Sequence, residues 1–224
     1  MKVWPQFAIW SICLATVTVA HGGEIVDRVV ANVNGHVLLQ SDWEEELALE
    51  GLINIRALDS FTLAERKAAL DRLIDQELLR EQVRPPDVVP ADQLAVRLTE
   101  IRKLYAEGAT EEGWRSVLGR YGLTESILEK RVGNNLQLMR LVDAKLRPSL
   151  QIDEKAVETY YHEQLLPELK KTGGKEVALA EVIGKIRDLL VEQKFNQLLS
   201  NWLASLRSEG HIETRESAPG DQSR

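Results

Sequence analysis

The side chains able to do acid–base, nucleophilic or metal chemistry are scattered through this chain. Its four histidines are His21, His36, His162 and His211. No His-x-x-x-His or Glu-x-x-His spacing occurs, so the helical arrangements that aim two ligands at one metal ion are missing. The acidic runs Glu44-Glu45-Glu46 and Glu111-Glu112 fall where helices are expected to begin. Carboxylates are favoured there by the positive end of the helix dipole, without any catalytic role. Gly174-Lys175 and Gly184-Lys185 lack the preceding glycine pattern and the following Ser or Thr of a phosphate loop. No Gly-x-Ser-x-Gly elbow occurs, and the single thiol is Cys13. The sequence therefore predicts no catalytic residue, no metal, no cofactor and no dependence on a nucleotide.

Aromatic side chains offer the other available chemistry, apolar contact. Trp43, Tyr105, Trp114, Tyr121, Tyr160, Tyr161 and Trp202 all fall in expected helices, where most aromatics serve as packing. A few could instead line a groove that holds an extended peptide. Trp114, Tyr121 and Tyr105 are the candidates. The first two share a short helix flanked by glycines, which is expected to be the least deeply buried.

The elements that would position these residues are mostly helical. Residues 25–39 read as a β-hairpin: Ile25, Val26, Val29, Val30, Val33 and Val37 crowd its arms, and Asn34-Gly35 accepts the positive φ angles of a type I′ turn. An isolated hairpin is marginal in water, so it must lean on another part of the chain. Ser41 to Glu44 and Thr62 to Glu65 read as capping boxes that start helices. Leu70, Leu73, Ile74 and Leu78 form an apolar stripe in the second, which Arg84-Pro85-Pro86 should end. Pro90 opens a third helix with Leu94, Leu98, Ile101 and Tyr105 on one face. Thr110 opens the short fourth, and Gly122 stops it. Thr124 opens a long fifth with Leu128, Val132, Leu136, Met139, Val142 and Leu146 inward. Asp153 caps a sixth whose end Pro167 should weaken. A last long helix is expected over 177–207, followed by a short strand over 211–214. The strand needs a sheet and the hairpin needs a neighbour, so the two are expected to pair. The tail after Arg215 reads as disordered.

Lys2 and the apolar run 7–19, followed by Thr18-Val19-Ala20, resemble an export signal cut after Ala20. A retained membrane anchor is the alternative, although the run is shorter than the roughly 20 residues a span requires. Cleavage would remove Cys13 and leave a mature chain without thiols, as suits an oxidising compartment. The net charge of -7 argues against nucleic acid and against an anionic membrane surface as partners. Apolar residues make up 44% of the chain, enough for a core, while the 5% of aromatics is low for an all-β protein.

Several segments resemble the SurA-type periplasmic chaperones. They are residues 24–35 (EIVDRVVANVNG) with 37–42 (VLLQSD), 69–79 (ALDRLIDQELL), 120–124 (RYGLT), and 186–195 (IRDLLVEQKF) with Trp202-Leu203. The resemblance implies a mainly α, multi-helix chaperone domain with a small N-terminal β-hairpin joined by a short C-terminal strand. The implied organisation is a signal peptide at 1–20, a hairpin and helical core over 21–171, a linker at 172–176, a helix and strand over 177–214 packing back on that core, and a tail at 215–224. Larger relatives carry a parvulin-type prolyl isomerase domain between the helix bearing Tyr160-Tyr161 and the last helix. The connection here, about ten residues from Pro167 to Glu176, is too short for a domain, and His162 matches no catalytic position. The resemblance thus implies an ATP-independent periplasmic holdase that binds unfolded outer-membrane or other exported proteins and aids their folding or assembly, with no stable membrane insertion and no enzymatic activity. A prolyl isomerase by family membership, and an interaction subunit for one dedicated partner, are the competing readings.

Overall fold

The computed structural model describes residues 27–84, 89–106 and 108–215 of the chain. The expected leader and its cleavage point, the start of the hairpin at Ile25-Val26, Pro85-Pro86 and the tail after Arg215 lie outside the described residues.

Strands β1 (Val29–Val33) and β2 (His36–Leu39) form the hairpin about Asn34-Gly35, both at positive φ. The last strand, β3 (Ile212–Thr214), pairs antiparallel with the other edge of β1, giving the order β2-β1-β3. The two ends of the described chain thus close one small sheet, as the hairpin's need for a neighbour predicts. Asn34 secures this closure. Its N–H donates to the His211 carbonyl at 2.9 Å, its side-chain oxygen accepts from the His211 N–H at 2.7 Å, and its amide donates to Glu81 at 2.7 Å. The turn therefore ties the hairpin to the end of helix α2 (Leu63–Arg80) and to the last strand. Val30, Val33 and Leu38 bury one face of the sheet against Leu70, Leu73, Ile74 and Leu78 of α2.

Helix α1 (Gln40–Asn54) follows β2 without a break, so Ser41 does not cap it. Leu39 still pairs with Val29, and the Gln40 N–H donates to the Arg28 carbonyl at 2.8 Å, which starts the helix two residues earlier than a Ser41 cap would. Asp42 accepts from the Leu39 N–H at 3.1 Å, and Asp27 takes both the N–H and the hydroxyl of Ser41. At α2 the expected box forms: Thr62 accepts from the Glu65 N–H, and Glu65 accepts from the Thr62 N–H at 2.8 Å. Hydrogen bonds from Arg56 and Thr62 hold the Glu65 carboxyl down at about 2.

Helices α3 (Ala91–Ala106), α4 (Glu111–Gly119) and α5 (Glu125–Leu146) pack with the second half of α1 around Leu52, Trp114, Leu118, Leu123 and Leu128. Thr110 and Thr124 cap α4 and α5, as their positions predict. Met139 is 66% exposed, however. The inward line of α5 passes from Leu138 through Leu141 and Val142 to Leu146 instead. Helix α6 (Glu154–Tyr160), capped by Asp153, runs through a π-type turn (Tyr161–Leu165) into α7 (Leu166–Thr172). Pro167 therefore opens α7 rather than weakening the end of α6. The helical run is unbroken from Glu154 to Thr172, and the widened turn ahead of Pro167 relieves the clash of its ring with the preceding carbonyl and accommodates its missing N–H.

The long helix α8 (Leu179–Glu209) packs on three groups in turn. Val182, Ile183, Ile186 and Leu190 meet α6 and α7; Leu199, Trp202 and Leu203 meet α5; and Leu206 reaches the hairpin core. Arg207 fixes the far end, donating to Asp75 at 2.6 Å and to the Asp71 carbonyl at 2.9 Å. The architecture is mainly α, with one small sheet.

Replacing Asn34 with alanine removes two side-chain hydrogen bonds and places a Cβ residue with no compensating polar group at φ +53°. The expected loss is about 2–3 kcal/mol in urea unfolding, with Asn34→Gly retaining part of it. A loss below about 0.5 kcal/mol would show that the turn does not tie the sheet to α2.

Candidate peptide-binding clefts

The cluster of α1, α3, α4 and α5 presents open clefts, two of them lined by a candidate aromatic, and the three candidate aromatics all belong to this cluster. Tyr121 lines the larger, about 570 Å³, between α1, the α4–α5 turn and the start of α5. Local geometry sets the ring there. The N–H of Gly122, at φ +71°, donates to the Gly119 carbonyl at 3.1 Å, and the Leu123 N–H returns to Leu118 at 3.1 Å. This drives Leu123 into the core and leaves Tyr121 half-buried on the rim. The ring lies against α1 at Gly51, where a Cβ would come within 3.2 Å of it. Leu47, Ala48, Leu58 and Ile127 supply the apolar part of the cleft, and Ser41, Glu44, Glu45 and Arg66 its polar part.

Those polar groups are already engaged. Arg66 donates to the carbonyls of Leu58 and Phe61, Glu44 accepts from Gln40, and Glu45 accepts from Arg131 at 2.8 Å. The Tyr121 hydroxyl has no partner among the described residues. The cleft thus offers apolar surface, an aromatic edge and one free hydroxyl, a combination suited to holding side chains.

Tyr105 lines a separate groove of about 480 Å³ with Ile53, Ile101 and Leu104. Its hydroxyl donates to the Ile53 carbonyl at 2.8 Å, joining α3 to the end of α1. Ile53 and Leu104 are 51% and 73% exposed, and Arg97, Glu100 and Lys103 complete the lining.

Trp114 lines neither cleft. Its 4% exposure corrects the expectation that the short helix holds it near the surface. The glycines flanking α4 end the helix without lifting it from the core, because Trp114 and Leu118 share one face and both pack inward. The sequence reading also missed Ile53, Leu104 and Ile127; nothing in their spacing separates a half-covered apolar residue from a covered one.

A buried polar node lies beside the larger cleft. Arg131, 5% exposed, donates to Glu45 and, at 2.7 Å, to the Asp42 carbonyl. Glu46 lies next to it, bonded to Gln76 at 3.0 Å, with one carboxylate oxygen lacking a hydrogen-bond partner. Burial pushes the Glu46 carboxyl above its ordinary value of 4.5, and Arg131 and Gln76 offset this only in part. Among the described residues no group of three His, Cys, Asp or Glu side chains could hold a metal ion. No described helix is long and apolar enough to cross a membrane.

A family model described as SurA-like N-terminal domain matches residues 2–142, more than half of the chain. No curated protein matches the chain.

Trp114→Ala should cost about 3–5 kcal/mol, as for an aromatic lost from a core, whereas Tyr121→Ala should cost about 1 kcal/mol. Chemical denaturation of both variants checks this, and equal losses would place Tyr121 in the core as well. Because the folded state raises the Glu46 pKa, it favours the protonated form. Stability should therefore fall as pH rises from about 4.5 through the folded value. Glu46→Gln should flatten that part of the stability–pH curve measured by urea unfolding, and an unchanged slope would show that burial of this carboxylate costs nothing.

Proposed function

Because the chain belongs to the SurA-like N-terminal domain family, we propose that it is an ATP-independent holdase of the periplasm that binds unfolded outer-membrane proteins. The observation carrying this reading is the cleft beside Tyr121. It is open and partly apolar, its charged groups are bonded within the protein, and it is wide enough for side chains of an extended segment. The groove at Ile53, Leu104 and Tyr105 adds a second apolar surface on the same helical cluster. Apolar contacts of this kind bind many sequences weakly, because a disordered client loses conformational entropy when held.

The proposal includes no prolyl isomerase activity. Residues 173–178 are all that connects α7 to α8, where larger relatives insert the catalytic domain. The barrier to peptide-bond rotation is about 18–20 kcal/mol, and lowering it requires a shaped pocket around the proline. A single dedicated partner in place of many clients would appear in crosslinking from the periplasm as one stoichiometric product.

The purified protein, in several-fold excess and without nucleotide, should suppress light scattering by an unfolded outer-membrane β-barrel protein diluted from urea. Tyr121→Ala and Ile127→Glu should weaken this while lowering the melting temperature by only a few degrees, as a loss of about 1 kcal/mol does. No suppression by the wild-type protein would end the holdase reading, and full suppression by both variants would move the site elsewhere.

A further inference from the structure

A third cavity, about 160 Å³, lies at the outer edge of β2. Its lining differs in kind from the two apolar clefts. Arg80 of α2 and Lys130 and Arg131 of α5 face it with Asp42 and Glu77, together with His36, Val37 and Asn134. Carboxylates match two of the three cations: Glu77 pairs Arg80, while Asp42 and Glu45 pair Arg131, so Lys130 is the cation of this lining left over.

The charges are unequally engaged. Arg80 is paired with Glu77, which is 4% exposed, and Arg131 with Glu45. Lys130 and Asn134, one helical turn apart on α5, have no partner among the described residues, so an ammonium group and a side-chain amide remain free to bind an anion.

The strand edge supplies a second, independent feature. In a two-residue hairpin Val33 and His36 exchange hydrogen bonds, so alternation turns the N–H and C=O of Val37 away from β1. Val37 lines the cavity and is 50% exposed. Backbone groups of an extended chain can pair there, and the cavity beside them holds the free Lys130 ammonium group.

We propose that this cavity binds the C-terminal carboxylate of an extended polypeptide, whose preceding backbone pairs with Val37 on the edge of β2. Strand addition supplies affinity for any sequence. The carboxylate, accepting from Lys130 and Asn134, restricts binding to chain ends through charge-assisted hydrogen bonds. A free small anion would use the cations but not the strand edge, which is why a chain terminus is the fitting ligand. This rests on the reading of the protein as a holder of unfolded chains and specifies which part of a client this cavity takes.

The test compares two peptides of one alternating apolar–polar sequence, labelled at the N-terminus, one ending in a free carboxylate and the other in an amide. Fluorescence anisotropy with the full chain should show about tenfold tighter binding of the acid, the factor expected for one charge-assisted hydrogen bond. Lys130→Ala with Asn134→Ala should bring the acid to the affinity of the amide without changing the amide's own affinity or the melting temperature. Equal binding of acid and amide by the wild-type protein overturns the inference. So does displacement of the acid peptide by acetate at matching concentration, which would mark a site for free anions. If aggregation of barrel proteins is still suppressed in either case, the holdase reading survives and only the end-binding site is lost.

Discussion

Arg131 is the group around which both polar and apolar surfaces of this protein are organised. A buried guanidinium is tolerated only when its donors are matched, and removing one partner of such a group costs about 3–5 kcal/mol. Here the matching comes from the first turns of α1, through Asp42 and Glu45. That requirement fixes α5 against α1 at one place, and the apolar contacts of Leu128 and Val132 with Ala48, Leu49 and Leu52 extend the join. Glu45 lies on one side of this place, in the Tyr121 cleft, while Arg131 and Asp42 line the cavity at β2. Two cavities of opposite character therefore share a single support.

The closure of the sheet answers a different need. A two-stranded hairpin cannot hold itself together in water, and its turn residue supplies the link. Asn34 adopts the left-handed conformation that the turn demands, and its amide is thereby aimed at both α2 and the returning strand. Gly210 matches it from the other side. A Cβ there would meet the Leu206 carbonyl at 3.0 Å and Leu78 at 3.1 Å, so a side chain at the passage from α8 to β3 would have to push its neighbours aside. Arg207, bonded to α2 one turn earlier, holds α8 in the register that brings Gly210 to this position.

Much of this was legible in the sequence because it rests on local rules. Thr62, Thr110, Thr124 and Asp153 cap the helices that their positions predict, and Gly122 stops α4. The pairing of the two chain ends follows from the need of an unstable hairpin for cover. The misreadings arose where a local signal met a tertiary constraint. Ser41 has the sequence of a cap, but continuous pairing of β2 pulled the helix start past it. Pro167 has the chemistry of a helix breaker, but a π-type turn absorbed it. Met139 has the right period for the core of α5, but α8 packs along the line through Leu138, Leu141 and Val142.

The candidate site was less legible than the fold, for a reason visible in α4. Trp114 and Tyr121 are seven residues apart, and helical periodicity alone places them on one face. The helix ends at Gly119, however, and the left-handed turn at Gly122 redirects the chain between them. Periodicity holds only within one helix, so the tryptophan went to the core and the tyrosine to the rim. The same break that misled the sequence reading is what forms the cleft. An uninterrupted helix would have carried Tyr121 inward with Trp114 and Leu118, leaving no aromatic edge over Gly51 to line the cleft.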